Sequence, residues 1–428
     1  MKLTKRLNRL VNILFLFVAG ILLTTKGYGQ LLTLEDCQQK AELLSPLKRQ
    51  EQYITSLDAL NKELVQNNWL PGINLQGRGS YQSAVFKLPF SVPGADVPQI
   101  PKNQYQFTVN LNQNIYDGGA SRASSFVENA KTEVQAAQLK ASLYQIREVI
   151  NELYFGILTL ERSEEINGAV IAELDNQLHR AKSAVKNGVL LTSELKSLQK
   201  QKLSTEQQQN ELRMRRTALV LVLSDWIGEP ITSETELVIP ENNSNLETIN
   251  RPELLIFSKK MEQLQAQQSL IQTKTRPKLA AFGTYGVGQP NPYNFFQTTW
   301  HQYYIVGAQL KWTPWDWNSS KKQREILAIN EEIVLSEKEN FEKNVRNQLI
   351  KQQSEIELLA SSLTTDKELL DLQRDITETA ASQFERGVIT ATDYLSELNS
   401  LTRAELQYNL HMIQLAKAEV TKQNIAGL

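Results

Sequence analysis

The sequence is poor in the residues that build most small-molecule chemistry. It has one cysteine in 428 residues, Cys37, which excludes an internal disulfide and any cysteine-rich metal site. Its three histidines, His179, His301 and His411, are scattered without metal-ligand spacing and read as surface or packing residues. No GxSxG elbow, Walker loop or HExxH pair is present, so neither catalysis nor a cofactor is expected. An excess of one charge is missing too. Lys and Arg number 46 against 47 Asp and Glu, for a net charge of -1, which gives no electrostatic case for nucleic acid. After Leu23 no apolar run approaches the roughly 20 residues of a spanning helix, so membrane residence would require strands.

The amino-terminal stretch is distinctive. Lys2, Lys5, Arg6 and Arg9 precede an apolar run from Leu10 to about Leu23, followed by Gly27-Tyr28-Gly29-Gln30. A basic region, a short apolar region and small residues before a cut predict a secretory signal over 1–29. Cys37 lies beyond that cut, and Glu35 and Asp36 stand where a lipobox has small residues, so no lipid anchor is read there.

Two stretches alternate with period two. In 70–117, Ile73, Leu75, Gly77, Gly79 and Tyr81 alternate with Asn74, Gln76, Arg78, Ser80 and Gln82. Tyr105, Phe107, Val109, Leu111 and Ile115 then alternate with Gln106, Thr108, Asn110, Asn112 and Asn114. A weaker copy occupies 277–316, with Tyr304, Val306, Ala308, Leu310 and Trp312 on one side. Each strand is therefore apolar on one face, amide-lined on the other. That pattern suits a membrane barrel with a wet lumen, although an ordinary two-sided sheet would also alternate. Aromatic residues near the strand ends (Tyr81, Tyr105, Tyr285, Tyr303, Tyr304, Trp312) would form an interfacial girdle. The first loop, from about Val85 to Asn103, holds Pro89, Pro93, Pro98 and Pro101 and reads as external.

Proline is also absent where it would break helices. From Ser121 to Lys186 there is none, and the only glycines are Gly156 and Gly168; Ser319 to Arg386 is a second such run. A helix over the first would span about 100 Å at 1.5 Å per residue, longer than globular helices usually are, and indicates coiled coil. Each run stops at a glycine, Asn187-Gly188-Val189 and Arg386-Gly387-Val388, and a return helix follows, from Thr192 or Ser193 to Leu223 and from Thr392 to about Gln423. Upstream, Thr33 stands at an N-cap position before a helix that Pro46 interrupts, and Asn250 can cap a helix beginning Arg251-Pro252. Asp117 and Asp316 share one sequence offset with Gly188 and Gly387, so the halves read as an internal repeat. The predicted organisation is a signal peptide (1–29), a first-half helix (30–69), a β-hairpin (70–117) and a long helical hairpin (118–227, tip at 187–193). A linker (228–250) leads to a second helix (251–276), a second β-hairpin (277–316) and a second long helical hairpin (317–428, tip at 386–392). Four strands cannot close a membrane barrel, so closure requires several chains: two would supply eight strands and three would supply twelve.

This order of elements resembles the TolC-like outer-membrane factor family, also called outer membrane efflux proteins. The matching segments are LTLEDC near residue 34, IYDGG and PWDWN after the strands, NRPEL at the second half, and the tips KNGVLLTSEL and ERGVITATDYL. PWDWN departs from the pattern by lacking the two glycines of the usual turn. The resemblance implies a mixed fold of helix and membrane strand, internally duplicated, with long antiparallel coiled-coil hairpins and two β-hairpins per chain. It further implies a homotrimer whose twelve-stranded β-barrel, set in outer-membrane lipid, continues into an α-barrel across the periplasm. Partners would be a periplasmic adaptor (membrane fusion) protein and an inner-membrane transporter, in drug efflux or type I secretion. By match, Gly188, Val189, Gly387 and Val388 would touch the adaptor. Asp393 would constrict the periplasmic aperture, Ser396 stands where the family has a second carboxylate, and Glu194 is the first-half counterpart of Asp393. A three-fold ring of carboxylates would attract cations. Asp393 and Glu194 also lie in the first turns of their helices, where a carboxylate complements the macrodipole, so a capping role stays open for both.

Other classes are weaker. Charges such as Glu337, Lys338, Glu342 and Lys343 are those of solvated helix faces. A membrane-anchored trimeric coiled-coil structural or adhesive protein is the main alternative, but it would place one anchor at one end, whereas the hairpins recur between helices. A passive porin would have many more strands and no long helices.

Overall fold

The computed structural model describes residues 31–86, 99–232, 235–240, 248–294 and 297–428. The expected signal peptide, most of the proline-rich loop and part of the expected linker lie outside these residues. In chain order the elements are β1 (Leu31–Leu32), α1 (Leu34–Leu44), α2 (Gln50–Gln66), β2 (Gly72–Tyr81), β3 (Asn103–Tyr116), α3 (Ala120–Tyr144), α4 (Ile146–Lys186), α5 (Thr192–Ile227) and β4 (Glu236–Leu237). They continue with α6 (Pro252–Gln272), β5 (Lys278–Gln289), β6 (His301–Lys311), α7 (Ser319–Glu385) and α8 (Ala391–Ala426). The chain divides into two compact units, one of Met1–Ser45, Leu143–Ile249 and Asn347–Leu428, the other of Pro46–Ser142 and Asn250–Arg346.

In the first unit, α4 buries Ile150, Tyr154, Ile157 and Leu158, a spacing that lines one helical face. Leu223 and Ile227 of α5, Ile413 of α8 and Cys37 of α1 are also almost wholly buried. Each large apolar side chain of this kind contributes about 1.5–3 kcal/mol by leaving water. Burial also pushes the Cys37 thiol up to about 12. Thr33 caps α1 as its spacing predicts, its Oγ1 accepting from the Asp36 amide at 3.2 Å. Within the expected linker, β4 pairs in parallel with β1. The Tyr154 hydroxyl accepts from the Val238 amide at 2.9 Å and lies 2.8 Å from Leu32 O, tying that strand pair to α4. Two-residue strands have no periodicity to read, so this pairing is invisible in sequence.

The expected continuous helix over 121–186 is instead two helices that meet at Gln145. No proline or glycine marks that position. Its neighbours are engaged by tertiary contacts, Tyr144 Oη donating to Asn424 O at 2.9 Å and Arg147 Nε donating to Glu42 Oε1 at 2.7 Å.

In the second unit the four long strands form one antiparallel sheet, ordered β2-β3-β5-β6, with β3–β5 pairing joining the two hairpins. The register places Asn74, Gln76 and Arg78 beside Asn110, Thr108 and Gln106 on one face. The other face presents Leu75, Phe107, Tyr304, Val306 and Leu310, which are 60–80% exposed in the isolated chain. Tyr303 departs from the expected girdle. Alternation puts it on the amide face, 9% exposed, where its ring lies over Gly286. A Cβ on Gly286 would come 2.5 Å from Tyr303 Cζ, so only glycine admits the ring.

Asp117 and Asp316 each end a hairpin by capping the next helix, accepting from the Ser121 amide at 2.6 Å and the Ser320 amide at 2.8 Å. Trp317 and Asn318 take positive φ values of 54° and 60° where the first half has Gly118 and Gly119. The left-handed turn thus survives without its glycines, at a cost of about 1–2 kcal/mol per residue in strain. At α6, the cap position falls to Arg251 rather than Asn250, with Pro252 leading the helix. Arg251 instead reaches forward to Glu253 at 2.5 Å.

Candidate functional site

The two hairpin tips lie in the first unit. Helix α4 ends with Gly188 at φ +74°, the Gly188 amide bonding Val185 O at 3.1 Å and the Val189 amide bonding Ala184 O at 2.9 Å. Helix α7 ends the same way, with Gly387 at φ +71°, Gly387 to Phe384 O at 3.0 Å and Val388 to Gln383 O at 2.9 Å. Both are Schellman closures, whose left-handed residue is glycine because a Cβ there strains the backbone. Space is not the constraint, for a Cβ added to either glycine meets nothing within 4 Å. In such closures the next residue commonly packs back on the helix. Here Val189 and Val388 instead stay 74% and 69% exposed.

Beneath the exposed turns the tips share one core. Val170, Leu174 and Leu178 from α4, Leu198 from α5, Phe384 from α7, and Tyr394 and Leu398 from α8 pack together. The Tyr394 ring stacks on Phe384 at 5.5 Å with an interplanar angle of 6°. Arg180 and Glu385 pair across the two outgoing helices. This shared core packs the two turns against each other.

Asp393 and Glu194 differ despite their matched positions. Thr390 caps α8, its hydroxyl accepting from the Asp393 amide at 3.3 Å, while Asp393 Oδ2 accepts from the Thr390 amide at 3.0 Å and the Thr390 hydroxyl at 2.7 Å. These Thr390 bonds hold the carboxyl below the usual carboxylate range. The helix starts at Ala391, one residue before the sequence expectation, and the signal for it was the Thr390-x-x-Asp393 capping box. In the first half the matching position is Leu191, which has no side-chain acceptor, so neither Thr192 nor Ser193 caps α5 and Glu194 makes no reciprocal bond. The reciprocal hydrogen-bonded cap therefore belongs to Asp393, through Oδ2 alone, whereas Glu194 stands in the first turn of α5, where a carboxylate complements the macrodipole, without such a bond. A shallow groove of about 530 Å³ beside Asp393 is lined by Asp375, Ser396, Glu397, Ile376 and Ile389. Glu397 adds a carboxylate there that the sequence reading missed, next to Ser396, but it is engaged by Gln373 Nε2 at 2.8 Å. Among the described residues, no cluster of His, Cys, Asp and Glu could hold a metal ion, and no helix is long and apolar enough to cross a membrane.

Residues 49–229 match the model of a family described as outer membrane efflux protein. No curated protein matches the chain by sequence. Among solved structures, the fold is similar to that of the outer membrane protein VceC from Vibrio cholerae, with a TM-score of 0.66 and 11% identity over 92% of this chain and 96% of that one. It is also similar to the Campylobacter jejuni CmeC outer membrane channel, at TM-score 0.63 and 13% identity over 92% and 86% of the two chains. The open state of the Neisseria gonorrhoeae MtrE outer membrane channel gives 0.64 and 14% over 92% and 89%. At these identities the likeness concerns the fold.

Proposed function

From the match of residues 49–229 to the outer membrane efflux protein family model, we propose that the chain belongs to that family and is the outer-membrane exit duct of a tripartite export assembly. The protein resides in the outer membrane and extends into the periplasm. Three copies pair β6 of one with β2 of the next to close a twelve-stranded barrel, and the helical hairpins continue it as an α-barrel. A periplasmic adaptor docks on Gly188-Val189 and Gly387-Val388, handing over substrate from an inner-membrane transporter of the efflux or type I secretion kind. Asp393, through its free Oδ1, and Glu194 line the periplasmic aperture as rings of carboxylates.

The sheet is the observation that carries this reading. One face is lined by amides and hydroxyls, the other by exposed leucine, valine and aromatic side chains, and among the described residues β2 and β6 each lack a neighbour on one side. Unpaired strand edges are not tolerated in hydrocarbon, so a sheet with these faces and edges closes by joining other copies. The turns support the other half of the reading, since exposed valines on a rigid paired tip suit a docking surface.

Single-channel conductance in a planar bilayer tests it, wild type beside Asp393→Ala, with divalent cations added from the tip side. Small cation-selective currents blocked by divalents, with block relieved in the variant, are expected. Channels indifferent to the substitution would remove Asp393 from the aperture. A folded, membrane-inserted oligomer that never conducts would sink the duct reading and favour an anchored coiled coil.

A further inference from the structure

The amide face of the sheet carries charge of one sign. The four long strands contain Arg78, Lys278 and Lys311 and not a single Asp or Glu. All three lie on the amide face by register. One row across the sheet reads Arg78, Gln106, Gly288, His301. Ten residues along β5 from Gly288, Lys278 faces Lys311, about 33 Å away at roughly 3.3 Å per residue. Between these cationic rows the face is neutral, with Gln76, Thr108 and Tyr303 in one row and Asn74, Asn110 and Thr284 in the next.

Arg78 also opens onto a recess of about 290 Å³, lined on its polar side by Gln104, Gln106 and Asn291 and on its apolar side by Phe86 and Pro290. The neighbouring polar groups are already engaged. Gln106 donates to the Tyr303 hydroxyl, Gln104 Oε1 accepts from Gln82 at 3.2 Å, and Asn291 Nδ2 donates to Gln297 Oε1 at 2.5 Å. The Arg78 guanidinium forms no hydrogen bond or ion pair with any described residue. A guanidinium that only had to be solvated could stand anywhere on a wet face. This one stands in a concavity with its five donors unused, amides beside it, an apolar wall opposite and no carboxylate in the strands to compete.

We infer that the Arg78 recess is a binding subsite for organic anions, a carboxylate, sulfonate or phosphate group meeting the guanidinium while an apolar body lies along Phe86 and Pro290. The fork geometry of Arg favours planar or tetrahedral oxyanions held through two donors. The binding step stands by itself. Its consequence, that anionic or amphipathic-anion substrates pass the strand section most readily, rests on the duct reading, with Lys278 and Lys311 continuing the preference along the same face.

The test is calorimetric titration of the purified full-length oligomer in detergent with 1-naphthalenesulfonate, beside neutral 1-naphthalenemethanol. The sulfonate is expected to bind, the alcohol at least about tenfold more weakly. Arg78→Gln should weaken the sulfonate at least about tenfold, with partial retention in Arg78→Lys, which keeps the charge but not the fork. Equal binding of sulfonate and alcohol, no sulfonate binding, or unchanged affinity in Arg78→Gln with the variant still oligomeric would overturn the subsite. Bilayer recordings on the same samples separate the two proposals. Conducting channels without Arg78-dependent binding remove the subsite and leave the duct, whereas Arg78-dependent binding by an oligomer that never conducts removes the duct and leaves the subsite.

Discussion

The Tyr394 hydroxyl donates to Glu173 Oε1 at 3.1 Å, joining the return helix of the second hairpin to the outgoing helix of the first. Tyr394 is 1% exposed, and burial, reinforced by the Glu173 charge, pushes its phenol above the ordinary value. The two tips are thereby coupled through a partly buried polar bond at the edge of an apolar cluster. Tyr394→Phe keeps the stacking on Phe384 and removes only that bond, so a loss of about 1–3 kcal/mol is expected in urea unfolding. The sign with pH follows from the raised value. Stability from the protonated phenol is complete below the unfolded value of 10.0 and declines as pH rises above it toward the folded one. The phenylalanine variant should therefore show a shallower alkaline loss than wild type.

Two glycines with equal room should respond oppositely to alanine. Neither Gly168 nor Gly188 has any atom within 4 Å of an added Cβ. Gly168 sits inside α4, where alanine is favoured over glycine by about 0.8–1 kcal/mol, so Gly168→Ala should raise the unfolding midpoint. Gly188 has φ +74°, where a Cβ costs about 1–2 kcal/mol, so Gly188→Ala should lower it. Equal shifts in one direction would show that space, not backbone conformation, governs the tip.

The cap on α8 is reciprocal, and reciprocity has a signature. Removing Thr390 or Asp393 alone, as Thr390→Val or Asp393→Asn, should lower the melting temperature, and the double variant should lose less than the sum. Because Thr390 holds the Asp393 carboxyl below 3.8, its contribution is present above that pH and lost as pH falls through the folded value. The difference between wild type and Asp393→Asn should accordingly vanish under strongly acidic conditions. Glu194→Gln, lacking a reciprocal cap, should leave the melting temperature unchanged.

Val189 and Val388 offer a separation of stability from partnership. Both are exposed, at 74% and 69%, so Val189→Arg and Val388→Arg should alter unfolding free energy by less than about 0.5 kcal/mol. On the duct reading they should abolish adaptor-dependent export, measured as substrate retention in cells, while bilayer conductance persists.

The sequence by itself determined where the long helical runs and the four long strands lie, because period-two and period-3.6 burial are written directly in the order of apolar side chains. Gly188 and Gly387 were legible as helix stops for the same local reason, since a left-handed closure needs a residue without Cβ. The amide face around Gln76, Thr108 and Asn110 was equally readable from alternation. Pairings between distant segments were not. The β1–β4 ladder and the helix boundary at Gln145 depend on contacts made across more than fifteen residues of sequence, which leave no periodic trace. The tie of Asp393 to Thr390 and its absence at Glu194 were legible too, as a Thr390-x-x-Asp393 capping box that has Leu191 in place of threonine in the first half. Only the tertiary structure set Tyr394 against Glu173 of the other hairpin, because a contact between residues so far apart in sequence has no local signature.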